Sequence, residues 1–173
     1  MLLEFVAPLL HDADRGQRGG IAKRAEGAAQ HIFSEVANQI DIPMDYDSVA
    51  KAGSMLGSGG MVVMDEDTCM VDMARRIMHF YAHESCGWCI PCREGTTWLR
   101  KMLDRFHAGL GRPEDIDLIG DLSKNMLGRT FCPLGDAAAL PTISIVQKWR
   151  DEFEQHLNGR CPYKSAEALV GSR

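Results

Sequence analysis

Three cysteines spaced evenly over seven residues constrain this chain more than any other feature. They are Cys86, Cys89 and Cys92, in the pattern C-x2-C-x2-C, and a fourth cysteine, Cys132, stands before Pro133. The even spacing places three thiolates around one tight loop, where each can hold one corner of an iron–sulfur cube. A zinc site more often takes its ligands as two separated pairs. The spacing therefore favours a [4Fe–4S] cluster and, with it, one-electron transfer.

Two other interpretations of the cysteines stay open, a structural zinc site and a set of redox-active or buried thiols. We expect Cys69 to be a small buried residue at the start of a helix, and Cys161 to be an unliganded thiol in a polar tail. The first residues lack the basic start and small-residue cleavage site of a secretory signal. A reducing compartment is therefore expected, in which thiolates stay available for metal.

The composition is that of an ordinary globular domain. The chain has 173 residues, of which 45% are hydrophobic and 25% charged, enough for one core with a small appendage. Its net charge of -5 gives no electrostatic reason to expect nucleic acid or an anionic membrane surface as a partner. No apolar run approaches the roughly 20 residues that span a bilayer.

The second half of the chain shows helical periodicity, and we predict four amphipathic helices joined by short loops into a small bundle. The first helix is capped by Asp65 or Asp67 and stops at Ser85, and the second runs from about Arg93 to Gly109. The third starts at Pro113 and stops at Gly128. The fourth follows Cys132, with Pro141 in or near its first turn. Their predicted core positions are Met70, Met73, Ile77, Phe80 and Tyr81, then Leu99, Met102, Leu103 and Phe106, then Ile116, Ile119, Leu122 and Met126, and finally Ile145, Trp149 and Phe153.

The first half is less regular. Residues 22–40 are expected to form a helix with a weak apolar face, and residues 42–47 and 52–56 to be short extended pieces. The run Met61–Met64 has the pattern of a buried strand. Because a strand follows the glycine-rich segment 57–60, where a phosphate loop requires a helix N-terminus, we interpret that segment as a turn.

On this scheme the cysteine triplet lies between the first and second helices, and Cys132 between the third and fourth. Trp88 and the pair Ile90–Pro91 are expected to shield the cluster, and Arg93 either to offset its charge or to be a solvated residue at a helix start. The pair His79 and His83, four residues apart, is expected to be solvated, since no carboxylate motif completes a zinc site.

The residues around the triplet extend the pattern beyond the cysteines. Residues 84–95 read ESCGWCIPCREG, which resembles the E-S-C-G-x-C-x-P-C-R-x-G signature of the NADH-binding flavoprotein subunit of respiratory complex I. The match to this family continues in order through residues 42–47, 52–59, 111–115, 128–130, 132–138 and 153–154. It covers about Ile40 to Leu157.

The resemblance implies a mainly α fold, a C-terminal four-helix bundle in which Cys86, Cys89, Cys92 and Cys132 ligate a [4Fe–4S] cluster. It divides the chain into an unassigned segment 1–40, a partial ubiquitin-like (β-grasp) α+β remnant 41–65, the iron–sulfur bundle 66–157 and a tail 158–173. Leu134, in the turn that lies beside the flavin in the family, is the candidate for a contact with FMN.

In the family a flavin takes hydride from NADH and passes single electrons to this cluster. The glycine-rich domain that binds FMN and NADH is not part of the matching region, so we expect a missing domain or a partner chain to hold both cofactors. The chain alone is then not expected to oxidise NADH. The implied partners are the other subunits of an NADH dehydrogenase complex, at the inner face of the membrane (the matrix side in mitochondria). An NAD-linked hydrogenase or formate dehydrogenase is the alternative host.

Overall fold

The computed structural model describes residues 24–27, 31–33, 43, 45–51, 61–64, 68–157, 159 and 161. The chain divides into two compact units, Met1–Glu66 and Asp67–Arg173. The extended piece predicted over residues 52–56, the glycine-rich segment 57–60 and most of the predicted tail 158–173 lie outside the described residues.

A small antiparallel sheet is found in the first unit. Its strands β1 (Arg24–Gly27), β2 (His31–Phe33) and β3 (Met61–Met64) lie in the order β2-β1-β3. Ala25 of the central strand is opposite Phe33 on one side and Val63 on the other. The strand predicted at β3 is confirmed. The helix predicted over residues 22–40 is wrong for residues 24–27 and 31–33, and the rest of that stretch lies outside the described residues. The intrinsic tendency of a short segment to form a helix is weak, and pairing with neighbouring strands outweighs it here.

The first unit also contains a short helix, α1 (Tyr46–Lys51). Asp45 precedes it and accepts hydrogen bonds at 2.8 Å from both the backbone N–H and the hydroxyl of Ser48. These bonds satisfy a donor that the first helical turn leaves free. The extended structure predicted for residues 42–47 is therefore wrong from Tyr46 onward.

The second unit is helical among its described residues, which confirms the mainly α prediction. Its helices are α2 (Met70–Glu84), α3 (Ile90–His107), α4 (Pro113–Met126), α5 (Leu134–Lys148) and α6 (Arg150–His156). Helix α2 packs on α3 and α5, α4 packs on the same two helices, and α6 contacts all four. Among the described helices, none is long and apolar enough to cross a membrane.

The helix ends follow the predicted stop signals more closely than the predicted starts. Helix α2 ends before Ser85 as expected, but its N-cap is Cys69, whose sulfur accepts the Asp72 N–H at 3.4 Å, and not Asp65 or Asp67. Helix α3 begins at Ile90, three residues before the predicted start. Its second residue is Pro91, and proline suits the first turn of a helix.

The core faces were predicted well for α3 and α4 and less well for α2. Leu99, Leu103 and Phe106 are fully buried, as are Ile116 and Ile119. In α2 the buried positions are Met70, Val71, Ala74, Met78 and Tyr81, whereas Met73 and Ile77 are half-buried and Phe80 is 40% exposed. Apolar residues occupy two overlapping faces of α2. The face that contains Ala74 is the one that α3 and α5 together bury.

The predicted fourth helix is in fact two helices. Helix α5 ends at Lys148, and Trp149, with φ -122° and ψ 37°, caps both α5 and α6. Pro141 lies two turns into α5 and not near its first turn; it removes one backbone hydrogen bond. Beyond the break, the buried Phe153 ring meets Phe106 of α3 edge-to-face, with centroids 5.5 Å apart. This contact fixes α6 against the core.

One buried carboxylate lies in the first turn of α2. Asp72 accepts hydrogen bonds at 2.8 Å from the Nε atoms of Arg75 and Arg76. Burial by itself would raise the pKa of Asp72, but these hydrogen bonds and the two positive charges outweigh it and hold the pKa below its usual value. The resulting stabilisation is present above the ordinary aspartate pKa and is lost as the pH falls through the lowered one.

Helix α3 presents a glycine, Gly95, to Met126 of α4. A Cβ atom on Gly95 would lie 2.5 Å from Sδ of Met126, a fully packed side chain, whereas a Cβ on Gly120 of α4 meets nothing within 4 Å. Alanine raises intrinsic helix stability by about 1 kcal/mol at either position. At Gly95, but not at Gly120, the added methyl group also overpacks the interior, which costs about 1–3 kcal/mol of folding free energy.

We therefore predict opposite signs for the two substitutions. Gly120→Ala should raise the free energy of unfolding by up to about 1 kcal/mol, and Gly95→Ala should lower it by a similar amount. Urea denaturation of both variants at equal metal content measures this. Equal stabilisation by both would show that α3 and α4 are not in contact at Gly95.

Candidate metal centre

Two loops carry the four cysteines of the predicted site. The first joins α2 to α3 and contains Cys86; Gly87, with φ +78°, makes its turn. Cys89 is the N-cap of α3 and Cys92 lies in the first turn of that helix. The third predicted ligand is therefore held by a helix, not by a loop. Helix N-termini favour negative charge, so this position suits an anionic group.

The second loop joins α4 to α5 and ends with Cys132 and Pro133, just before the first turn of α5. The N–H of Gly128 donates to Oδ1 of Asp136 at 2.7 Å, and the Thr130 hydroxyl donates to the carbonyl of Cys132 at 2.8 Å. These bonds fix the course of the loop at both of its ends. Cys132 consequently also lies beside a helix N-terminus.

The two loops meet directly. The N–H of Phe131 points to Sγ of Cys89 at 3.5 Å, and the rings of Trp88 and Phe131 stack with centroids 4.9 Å apart. N–H groups aimed at cysteine sulfur stabilise the thiolate and tune a metal bound to it. The structure thus brings the fourth cysteine's loop to the triplet, although 42 residues separate Phe131 from Cys89 in sequence.

Polar contacts brace the first loop from behind. The hydroxyl of Ser85 lies 3.3 Å from Sγ of Cys92, and that of Thr96 donates to the Cys92 carbonyl at 2.7 Å. Arg93 donates through Nη1 to the carbonyl of Gly87 at 2.8 Å. The guanidinium therefore closes the loop on itself. Its Nε also pairs with Oε1 of Glu94 at 2.8 Å, and the side chain is 48% exposed.

The aromatic cover differs from the prediction. Cys92 is buried and Cys89 half-buried, but Cys86 and Cys132 are exposed. Trp88 is 73% exposed and Ile90 64% exposed. The expectation that these two side chains shield the site is therefore wrong for this chain by itself, since they stand at the end of the helical unit and project outward.

The donor set fits an iron–sulfur cluster. All six cysteines are free thiols, so none of the four is withdrawn into a disulfide. A single zinc ion would hold its sulfurs about 3.8 Å apart. Among the described residues, no three of these four thiols have ligand atoms all within 4.8 Å of one another. Four thiols carried by two touching loops are the donor set that a [4Fe–4S] cluster takes, with one cysteine at each corner.

Other sequence candidates have ordinary roles. Nε2 of His79 pairs with Asp104 at 2.7 Å, and Nδ1 of His83 with Glu84 at 2.9 Å, so the two histidines do not converge. His83 is solvated as expected, whereas His79 forms an interhelical ion pair when protonated. Leu134 is the first residue of α5 and half-buried. Its contact with FMN stays a prediction.

A second cluster of ligand-type side chains was missed by the sequence reasoning. Cys69, His156 and Cys161 place their ligand atoms within 4.8 Å of one another. Cys69 is buried at a helix start as predicted, and burial raises the pKa of its thiol to about 12, with the neighbouring Cys161 adding to the effect. Cys161, which we expected to be an unliganded thiol in a polar tail, lies close to two other ligand-type side chains. His156 and Cys161 are separated by four residues, a spacing that pairs of metal ligands use, but Cys69 lies 87 residues before His156 and no spacing pattern links it to them.

Comparison with known proteins agrees with this geometry. Residues 72–156 match the family described as the NADH-ubiquinone oxidoreductase-F iron-sulfur binding region. The chain is 47% identical over 132 residues to an NADH-quinone oxidoreductase subunit of Mycobacterium tuberculosis H37Rv, covering 76% of this chain and 30% of that protein. It is 44% identical over 145 residues to the corresponding protein of Streptomyces coelicolor, covering 83% of this chain and 32% of that protein.

More distant relatives extend the comparison. The mitochondrial NADH-ubiquinone oxidoreductase 51 kDa subunit of Neurospora crassa is 40% identical over 128 residues, covering 74% of this chain and 26% of that protein. A crystal structure of an air-oxidized NAD+-reducing [NiFe]-hydrogenase superposes with a TM-score of 0.71 at 22% identity, covering 84% of this chain and 25% of that chain. This last likeness shows a shared fold.

The fold and the cysteine loops thus define an iron–sulfur domain of the electron-transfer class. The helical region of this chain belongs to the family of NADH-ubiquinone oxidoreductase-F iron–sulfur binding regions, which confirms the resemblance seen in the sequence. The chain spans about a third or less of the length of the curated relatives it matches.

The stacked pair Trp88 and Phe131 gives a direct test of whether the loops meet. In a double-mutant cycle of Trp88→Ala and Phe131→Ala, we predict a coupling energy of about 0.5–1.5 kcal/mol in urea denaturation at equal metal content. Trp98, an exposed tryptophan of α3, supplies the matched control. A cycle of Trp98→Ala with Phe131→Ala should show no coupling, and equal coupling in both cycles would contradict the contact.

Proposed function

We propose that Cys86, Cys89, Cys92 and Cys132 together hold one [4Fe–4S] cluster, and that this chain is the electron-relay part of an NADH dehydrogenase complex. When bound, such a cluster accepts and donates one electron at a time. The observation that carries the proposal is the contact between the two cysteine loops, at Phe131 N and Cys89 Sγ. The family match of residues 72–156 supports it independently.

The residues of this chain serve the proposed relay by holding the ligands rigidly. The starts of α3 and α5 point their free N–H groups toward the ligand loops, which favours the anionic form of the site. Arg93 adds a positive charge within the first loop. We further propose that α2, α3, α4 and α5 form the four-helix bundle expected for this region, which their mutual contacts support.

In this proposal the hydride transfer from NADH takes place outside this chain's helical region. The matched residues correspond to an iron–sulfur binding region, so FMN and NAD are assigned to a separate domain or a flavin-binding partner chain, with Leu134 next to the flavin. The names of the relatives support a complex of several subunits, and we place the chain in its peripheral part, on the cytoplasmic or matrix side. Segment 41–65 is proposed as the end of a ubiquitin-like domain that precedes the bundle 66–157.

The same site within an NAD-linked hydrogenase or formate dehydrogenase is a second candidate. The structural likeness to the NAD+-reducing [NiFe]-hydrogenase supports this second candidate only at the level of the fold. The higher identity to NADH-quinone oxidoreductase subunits favours the complex I assignment. A zinc-stabilised interaction module is the alternative of another class.

Substitution of one ligand tests the proposed centre. Cys89→Ser should reduce bound iron to near zero after anaerobic reconstitution and abolish the visible thiolate-to-iron absorption, because a serine hydroxyl is a poor ligand and cluster binding is coupled to loop structure. Iron per chain and the absorption spectrum are the measurements.

Cys161→Ser is the matched control, since it changes a thiol outside the two loops and should leave the iron content unchanged. Equal iron in wild type and Cys89→Ser would refute the ligand assignment. A colourless wild-type chain carrying zinc at these cysteines would favour the interaction module instead.

A further inference from the structure

Three ligand-type side chains meet at the far end of α2 from the cysteine loops. Cys69 is the N-cap of α2, His156 is the last residue of α6, and Cys161 follows in the chain. Their ligand atoms all lie within 4.8 Å of one another, and Sγ of Cys69 is 3.4 Å from Nε2 of His156. Helix α2 has 15 residues, so about 22 Å of helix separates this cluster from Cys86.

The histidine is held in the form that binds metal. Nδ1 of His156 lies 2.6 Å from the carbonyl oxygen of Glu152. A carbonyl accepts only, so Nδ1 carries the proton and Nε2 presents its lone pair toward Cys69 in the neutral ring. Metal-binding histidines characteristically donate their other N–H to such an acceptor. The ring is fully buried, which fixes this orientation.

The sulfur of Cys69 is also held in a fixed position. It accepts the N–H of Asp72 at 3.4 Å, at the N-terminus of α2. The Glu152 carboxylate accepts the N–H of Met70 at 3.0 Å and so ties α6 to the same turn. Both helices are therefore fixed on either side of the cluster before any ligand binds.

The simpler explanation, a buried thiol hydrogen-bonded to a histidine, accounts for two of the three residues. It does not account for the second thiol, Cys161, brought to the same point from beyond α6. Two cysteines and one histidine are a ligand set that zinc takes, with water in the fourth position. Tetrahedral zinc would set sulfur and nitrogen about 3.6 Å apart, close to the 3.4 Å between Cys69 and His156.

We propose that Cys69, His156 and Cys161 bind one divalent zinc ion, at a site separate from the four-cysteine centre. The ion fastens the segment that follows α6 to the start of α2. The ion is not a redox centre, because zinc does not change its oxidation state in proteins.

Metal analysis of the full chain, reconstituted anaerobically with iron and sulfide and then given zinc alone, tests the proposal. We expect about one zinc per wild-type chain, and near zero in Cys69→Ser and in Cys161→Ser, with the iron content of Cys161→Ser unchanged. Cys132→Ser is the matched control and should lose iron while keeping zinc.

Cys161 lies beyond α6 and is partly exposed, so its variant is decisive even if Cys69→Ser fails to fold. X-ray absorption at the zinc edge of the wild type should show two sulfurs and one nitrogen. Four sulfurs around zinc, equal zinc in wild type and Cys161→Ser, or a Cys69–Cys161 disulfide in the reduced, zinc-treated protein would each overturn the proposal.

Discussion

The meeting of two distant loops at Cys89 and Phe131 is the contact on which the rest of this structure depends. For Cys132 to lie beside the triplet, the α2–α3 loop and the α4–α5 loop must stand at the same end of the helical unit. The two helices that run between the loops, α3 and α4, are in contact, and Gly95 leaves room for Met126 at that contact. A glycine in the middle of a helix costs about 1 kcal/mol, a cost offset here by the close approach.

Electrostatics reinforce the same geometry. Two helix N-termini adjoin the loops, and Arg93 closes the first loop through its bond to the Gly87 carbonyl, so the site suits an anionic group. The exposed side chains of Trp88, Ile90 and Phe131 surround the same end of the unit. At the opposite end of α2, Cys69 and His156 occupy a buried environment with a fixed histidine tautomer. One helix thus links two sites of contrasting exposure.

Much of this could be predicted from the sequence, for identifiable reasons. The helix ends at Ser85 and at Gly128 could be predicted because the local sequence determines them. The cysteine loop follows Ser85, and Gly128 adopts a positive φ that does not continue a helix. The buried face of α2 could not be predicted, because two apolar faces overlap and only packing against α3 and α5 decides between them. The strands β1 and β2 depend on pairing with each other and, for β1, with the distant β3, which local propensity does not encode. The proximity of Cys69 to His156 was likewise invisible, since 87 residues separate them and no spacing rule joins them.

The four-cysteine centre is tested most directly by the iron and acid-labile sulfide content of the reconstituted chain, with Mössbauer spectra of the same sample. We predict about four irons and four sulfides per chain in one cubane environment. Iron without sulfide, or zinc in place of iron at the four cysteines, would contradict the assignment of a [4Fe–4S] cluster to the two loops.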